Sequence, residues 1–473
     1  MKTKWNSAWK NLTKEIKLWE WIVLILAITL PLISFLYADT NSIIRCGVDV
    51  TKSMVSGNFL NYYDYTLLDC DRGVMMHPPT YDFLFYFIVG IWEIPMAIAE
   101  LVTGKILAGS LLAMGYSKLF LLVFLLLAGW RVYKLGKEVG LSEKMSYWSA
   151  FMFMSSGFIF ANLCIAGQYD IMGLFFTLIG VYYYAKKDMR KFVGWFAIAV
   201  QFKFFPLFIF IPLLLLAQKN LWKIAVNMVC VMLPTAIMRL PFISNLNSIA
   251  VKNEIQADMV DRIFRNRIAI FETEVPLSLL FLGAVCLYCY WKDVKEEEWK
   301  YYAVYIPFLA LSALFLSFPF FPYWLTYLTP WMALLFFMKR EKAERRFMFE
   351  MGMMVCVILA DMSHFDWCYE LNNTVGMLMD KIFPYAGFTN PLTLSNFNTI
   401  LPIEEYEFFL YGMYIICLLA MIIVYYPKKE IQFQEESYPC RRMSWIHFVV
   451  SFGVGAVPFL LYLGSIARQI VFG

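Results

Sequence analysis

A few short stretches in an otherwise apolar chain carry residues able to do chemistry. CGVDVTKSMVSGNF, Cys46–Phe59, places Asp49 just beyond a first apolar block, where a carboxylate could take a proton from an attacking hydroxyl. Further on, Asp69 and Asp71 form a DxD that could hold a divalent cation through hard oxygens. That pattern recurs easily by chance, so no metal or other cofactor is expected, with Asp69 and Asp71 as the alternative metal pair. His77 stands before Pro78 and Pro79 in MHPPTYDFLFYF, either as a substrate contact or as part of a fixed extended turn.

Other stretches offer binding groups. AGQYD, Ala166–Asp170, combines the turn freedom of Gly167 with Gln168 and Asp170, which could hold hydroxyls or simply make a polar hairpin. QFKFFP, Gln201–Pro206, sets Lys203 among aromatics; an ammonium there suits a phosphate, although a lysine can also snorkel to lipid headgroups. SFPFFPYWLTYLTP, Ser317–Pro330, contains Tyr323 and reads either as a binding turn or as an interfacial aromatic belt. HFDWCYE, His364–Glu370, brings His364 and Asp366 beside an indole, a combination able to bind sugar.

The elements that must position these groups are membrane helices. Of 473 residues 61% are hydrophobic and 16% charged, well away from the balance of soluble domains. The apolar residues run in blocks of about 16 to 22, the length of a helical crossing, without the alternation of barrel strands. The fold class expected is therefore an all-α polytopic membrane protein. Lys2, Lys4, Lys10, Lys14 and Lys17 precede the first block, which lacks a cleavage pattern and reads as a retained signal anchor with a cytoplasmic start. The net charge of +4 comes from short basic clusters between blocks, a pattern of membrane anchoring that excludes a nucleic-acid partner.

Parity of those clusters fixes the topology. Basic clusters at 131–144, 186–191, 218–223, 292–300, 339–346 and 428–442 all stay inside if 83–103, interrupted by Glu93, Pro95 and Glu100, lies along the outer surface. The count is then about 13 transmembrane helices. The chain divides into a cytoplasmic N-terminus (1–18), a first span (19–38), a large extracytoplasmic loop with surface helices (39–117) and a polytopic bundle (118–473) with outer loops 242–275 and 364–404. The carboxylates and histidines named above fall outside. So does a cationic loop with Arg262 and Arg265, the latter a candidate for an anionic, lipid-like ligand. The crossing before Lys203, Phe192 to Phe202, is only 11 residues, about 17 Å of helix, as expected where broken helices line a cavity.

The order of these features resembles the GT-C superfamily of polyprenyl-phosphate-sugar-dependent glycosyltransferases over most of the chain. A basic start and one span lead to a loop acid (Asp49), the small-residue stretch SGNFLNYYDY, the double proline Pro78–Pro79, then GQYD and the lysine-aromatic-proline hairpin of Lys203. The last two are similar to the mannosyltransferase-like branch. Met76-His77 before the prolines and Val50 after Asp49 depart from the pattern. The resemblance implies an inverting hexosyltransferase on the extracytoplasmic or lumenal face, moving mannose or another hexose to a glycan or glycolipid acceptor. It implies Asp49 as general base, Lys203 and Arg265 near the donor phosphate, and Gln168, Asp170, His77, His364, Asp366 and Tyr323 near sugar or acceptor. A secondary transporter or lipid-linked sugar flippase would also use broken helices and buried charge, and a non-catalytic subunit could borrow the scaffold.

Overall fold

The computed structural model describes residues 17–34, 38–71, 81–248, 260–339, 343–364, 403–427 and 439–457, with a few isolated positions. His77, Asp366 and most of the 364–404 loop lie outside the described residues, as does the His364 side chain. The chain is mostly helical, and the described residues include one short hairpin, β1 (Arg267–Ile270) against β2 (Thr273–Pro276).

After α1 (Leu18–Ser34) come the helices of the first loop: α2 (Ala38–Val55), α3 (Tyr62–Asp71), α4 (Phe83–Trp92) and α5 (Ile94–Thr103). The stretch that opens the sequence argument is helical as far as Val55. Its apolar residues Ile43, Ile44, Cys46, Val48 and Val50 are buried against neighbouring helices. The α2–α4 crossing is close because both helices carry glycine there: a Cβ on Gly47 would stand 2.8 Å from the Val89 side chain, and one on Gly90 2.8 Å from the Gly47 carbonyl. The α4–α5 pair bends by 69° at Glu93, where Pro95 cannot continue the hydrogen bonding of α4. A single straight span over 83–103 is therefore not formed.

The remaining helices are α6 (Leu111–Glu138), α7 (Glu143–Met154), α8 (Asp170–Ala185), α9 (Met189–Ala199), α10 (Phe205–Ala217), α11 (Leu221–Arg239), α12 (Leu277–Trp291), α13 (Trp299–Phe315), α14 (Thr329–Met338), α15 (Ala343–His364), α16 (Glu407–Tyr425) and α17 (Cys440–Gly455). Helix stands at each expected crossing, but many are short or interrupted. Among the described residues three helices, Leu112–Glu138, Leu221–Phe242 and Glu407–Tyr425, are long and apolar enough to cross a membrane, or four spans if the bent pair counts. That is far fewer than the 13 expected from apolar blocks. The reason is local: proline and serine breaks shorten the helices, as at Ser155–Ser156 after α7 and at Pro322 before α14.

Basic side chains join helix ends. Lys219 Nζ donates to the carbonyls of Leu215 (3.1 Å), Cys289 (2.7 Å) and Lys292 (3.0 Å), closing the last turns of α10 and α12. Lys339 donates to Val424 (2.5 Å) and Tyr426 (3.1 Å), and the buried Arg346 to Leu335 (3.3 Å), Phe336 (3.2 Å) and Lys339, so the ends of α14 and α16 meet. Glu138 at the end of α6 pairs with Lys186 (3.6 Å) and Lys300 (3.4 Å). These helices leave terminal carbonyls without intrahelical partners, and a cation there also meets the negative end of the helix dipole.

Candidate active site

Among the polar clusters of the described residues, two hold residues singled out in the sequence. The first is built on the helices of the first loop. Arg45 binds Asp49, four residues on along α2, through Nη2 at 3.1 Å. It binds Asp69 of α3 through Nε, and Glu100 of α5 through Nη1 at 2.8 Å. Lys52, two turns beyond Arg45, reaches the same Glu100 oxygen at 2.5 Å. The other Glu100 oxygen accepts the backbone N–H groups of Leu107 (2.8 Å) and Ala108 (3.3 Å), tying the segment after α5 to the network.

Three carboxylates thus share two cations, and the imbalance falls on Asp49. It is 4% exposed and its Oδ2 is buried without a hydrogen-bond partner among the described residues. Burial pushes the Asp49 carboxyl up to about 8, against the pull of Arg45 and with Asp69 adding to the rise. Burial works in the same sense at Glu100, but the Lys52 hydrogen bond, the Leu107 N–H and Arg45 hold that group below its usual range. A carboxylate poised near neutrality is suited to general-base work.

The Asp69–Asp71 pair does not converge. Asp69 faces Arg45 while Asp71, two residues along the same helix, is exposed. Among the described residues no group of three or more His, Cys, Asp or Glu could hold a metal ion.

The second centre gathers groups from four segments. After α7 the chain turns through Gly157–Ile159 into a π-helical stretch, Phe160–Ile165, and then into the GQYD turn. Gly167 has φ +62°, and a Cβ there would stand 2.5 Å from Thr40 Oγ1 and 3.2 Å from the stem of buried Lys118, so only glycine fits. Lys118 Nζ donates to the Cys164 carbonyl at 2.9 Å, fixing the π-helical end from below. The turn places Asp170 at the start of α8, where its Oδ1 binds Lys203 Nζ. Asn162 Nδ2 lies 3.3 Å from Asp170 Oδ2 and donates to the Tyr323 carbonyl at 2.8 Å, linking the GQYD turn to the aromatic turn before α14.

Lys203 sits between α9 and α10, with the rings of Trp324, Tyr323 and Phe205 at 5.4, 5.5 and 5.6 Å from its Nζ. Its side chain is 10% exposed while that of Asp170 is 0% exposed, so the lysine is the more accessible member of the pair. From the double-proline segment, Tyr81 donates to Gln168 Oε1 at 3.4 Å and stacks on Phe85 at 4.1 Å. Asp82 next to it accepts both N–H groups of Arg239 at 2.8 Å, which anchors the start of α4 on the end of α11.

The structure brings Lys203, Asp170, Gln168 and Tyr323 together and leaves Asp49 in the neighbouring network. Ring contacts Tyr62–Tyr86 (6.2 Å) and Tyr86–Tyr81 (6.1 Å) lead from one centre to the other. Arg265 does not join either centre: it is exposed and pairs with Asp261 at 2.9 Å. Arg262, three residues earlier, is the loop cation that approaches, with its guanidinium 4.3 Å from the Phe321 ring, itself stacked on Tyr323. Sequence reasoning missed Arg45, Glu100, Asn162 and Tyr81; the acids and the arginine were visible as charges in apolar surroundings, but their pairing joins residues 24 and 55 positions apart. Comparison with family models, with curated proteins and with solved structures gives no match.

Proposed function

We propose that the chain is a multi-pass membrane glycosyltransferase that moves a hexose from a polyprenyl-phosphate donor to a glycan or glycolipid acceptor on the extracytoplasmic or lumenal face. The observation that carries this reading is the Lys203–Asp170 pair inside an aromatic box, joined to Gln168 and to the double-proline segment. The donor phosphate takes Lys203, the more exposed partner, and Asp170, itself approached by Asn162, holds the lysine in place. As the bond between anomeric carbon and phosphate oxygen breaks, the ammonium stabilises the developing charge. The acceptor hydroxyl attacks the anomeric carbon from the opposite side and gives its proton to Asp49, so configuration inverts and no covalent sugar-enzyme intermediate is needed.

The topology supporting this reading is that of about 13 crossings. On this reading the ends of α10, α12, α14 and α16, whose carbonyls accept from Lys219, Lys339 and Arg346, face the cytoplasm together with the Glu138 end of α6, and Asp64, Asp82, Asp170 and Lys203 face the other side. The short, largely buried helices α9 and α10 that flank Lys203 fit broken helices held within protein rather than against lipid.

In the structure Asp49 is enclosed, so the acceptor reaches it only as the α2–α3 region opens. The test uses purified protein in lipid nanodiscs with radiolabelled polyprenyl-phosphate hexose and a lipid-linked glycan acceptor. Label appearing on the acceptor supports the enzyme. In sealed proteoliposomes, unmodified donor crossing the bilayer without transfer supports the flippase reading, and neither event leaves a non-catalytic subunit.

A further inference from the structure

Around the Lys203–Asp170 pair stand three neutral side chains, each wholly or almost wholly buried, whose polar atoms have no hydrogen-bond partner among the described residues: Asn162 Oδ1, Trp324 Nε1 and Tyr327 OH. They belong to one cluster. Asn162 approaches Asp170 and holds the Tyr323 carbonyl, the Trp324 ring lies 5.4 Å from Lys203 Nζ, and Tyr327 lies within electrostatic reach of Asp170. The Phe205 ring packs on both Trp324 (5.0 Å) and Tyr327 (5.3 Å). Room for the Tyr327 hydroxyl is made by Gly173 of α8, where a Cβ would lie 2.4 Å from that oxygen.

Buried polar groups are nearly always hydrogen-bonded, and each left unsatisfied costs about 1–3 kcal/mol. Other buried polar atoms of the chain also lack a partner among the described residues; what singles out these three is that they converge on one charged pair, where a ligand would supply the missing partners. Their types specify it: an acceptor, a donor and a group able to do both, set against aromatic rings, fit the hydroxyls and the C–H faces of a pyranose. None carries charge. Lys203 is already matched by Asp170 and would share its remaining capacity with the phosphate, Lys118 is taken up by the Cys164 carbonyl and Arg262 lies on the Phe321 ring, so a carboxylate on the sugar would be a third anion on Lys203.

We propose that Asn162, Trp324 and Tyr327 form the sugar subsite and that it takes a neutral hexose bearing its full set of hydroxyls, in preference to a uronic acid or a deoxy sugar. This rests on the donor reading given above. The three residues contact the sugar without taking part in bond breaking. A site that donates to and accepts from substrate hydroxyls rejects analogues that lack them far more strongly than an apolar pocket rejects a change in size.

The test is equilibrium binding, in nanodiscs, of polyprenyl-phosphate mannose and glucose, their monodeoxy analogues and the corresponding uronates, to wild type, Tyr327→Phe and Trp324→Phe. The expected result is at least tenfold weaker binding of the preferred hexose by either variant, and loss of the same factor when wild type is offered one particular deoxy analogue. The variant and that analogue together lose no more than either alone. Uronates should bind wild type at least tenfold more weakly than the hexose. Additive losses for every analogue, unchanged affinity in two folded variants, or equal binding of uronate and hexose would each overturn the subsite. Absence of donor binding by wild type would overturn it together with the donor reading, whereas binding without transfer would overturn the enzyme reading alone. Should Tyr327→Phe fail to fold, Trp324→Phe and the analogue series on wild type carry the same decision.

Discussion

Replacing Asp49 by Asn keeps the size of the side chain and an oxygen for Arg45, but removes the ability to accept a proton. The loss should fall on turnover, on the order of 100-fold or more, with donor affinity largely kept. The Asp49 carboxyl lies at about 8 in the folded chain against 3.8 as a free side chain. The base form is therefore gained as pH rises, and transfer by wild type should climb to an inflection near pH 8 that the Asn variant lacks. Stability runs the other way. A folded-state pKa above the unfolded one means the folded chain holds the proton more tightly, so this contribution is present below pH 3.8 and is lost as pH rises through about 8. The full shift corresponds to at most about 6 kcal/mol, and it belongs to the network rather than to Asp49 alone, because Arg45 and Asp69 act on the same carboxyl. Asp49→Asn should accordingly melt a few degrees above wild type at pH 9 and level with it at pH 4. Transfer and melting followed from pH 5 to 9 in one detergent decide the matter, with melting extended to pH 4. Near-normal turnover in Asp49→Asn, or a wild-type profile without the inflection, would refute the base assignment; the same loss in Asp69→Asn with metal dependence would move it to the DxD.

Arg45→Met leaves Asp49, Asp69 and Glu100 buried with Lys52 alone, and should destabilise the chain by about 3–5 kcal/mol in a thermal-shift measurement; an unchanged midpoint would mean the carboxylates are not held through Arg45. Gly167→Ala forces a side chain into a left-handed turn against Thr40 Oγ1, so transfer should fall at least tenfold as Gln168 and Asp170 shift, with a smaller loss for Gly194→Ala, where nothing stands within 4 Å. Equal activity of the two variants would show that the turn does not position the site. Single cysteines near Ser110 and Asn245 should react with an impermeant reagent added outside intact cells, and one near Lys187 only after permeabilisation; outside labelling near Lys187 would overturn the topology.

That the chain is mostly helical was legible because apolar block length is a one-dimensional signal; the number of long spans was not, because it depends on where the helices break. Lys203 and Asp170 stood out in one dimension too, as charges inside apolar sequence next to proline and glycine. Their partnership did not, since it depends on the π-helical stretch that turns Asn162 toward Asp170, and FANLCI reads simply as a continuing apolar helix. Arg265 and Arg262 differ by less than one helical turn, and only the packing of the loop against Phe321 separates them. Trp324 and Tyr327 look like an interfacial aromatic belt until their buried polar atoms are counted. The first-loop network was hidden because α2 to α5 fold back on one another, bringing Glu100 to Arg45 across 55 positions.

The central claim is that the anionic head group of a polyprenyl lipid is held by Lys203. It is tested most directly by the affinity of sugar-free polyprenyl phosphate for wild type and for Lys203→Met in nanodiscs of neutral lipid. Loss of a charge-assisted contact of about 1.5–3 kcal/mol predicts binding weaker by roughly 10- to 100-fold, with Lys203→Arg restoring only part of it because a planar fork fills the aromatic box differently. Equal affinity of wild type and a folded Lys203→Met would contradict the account and leave the lysine as no more than the partner of Asp170.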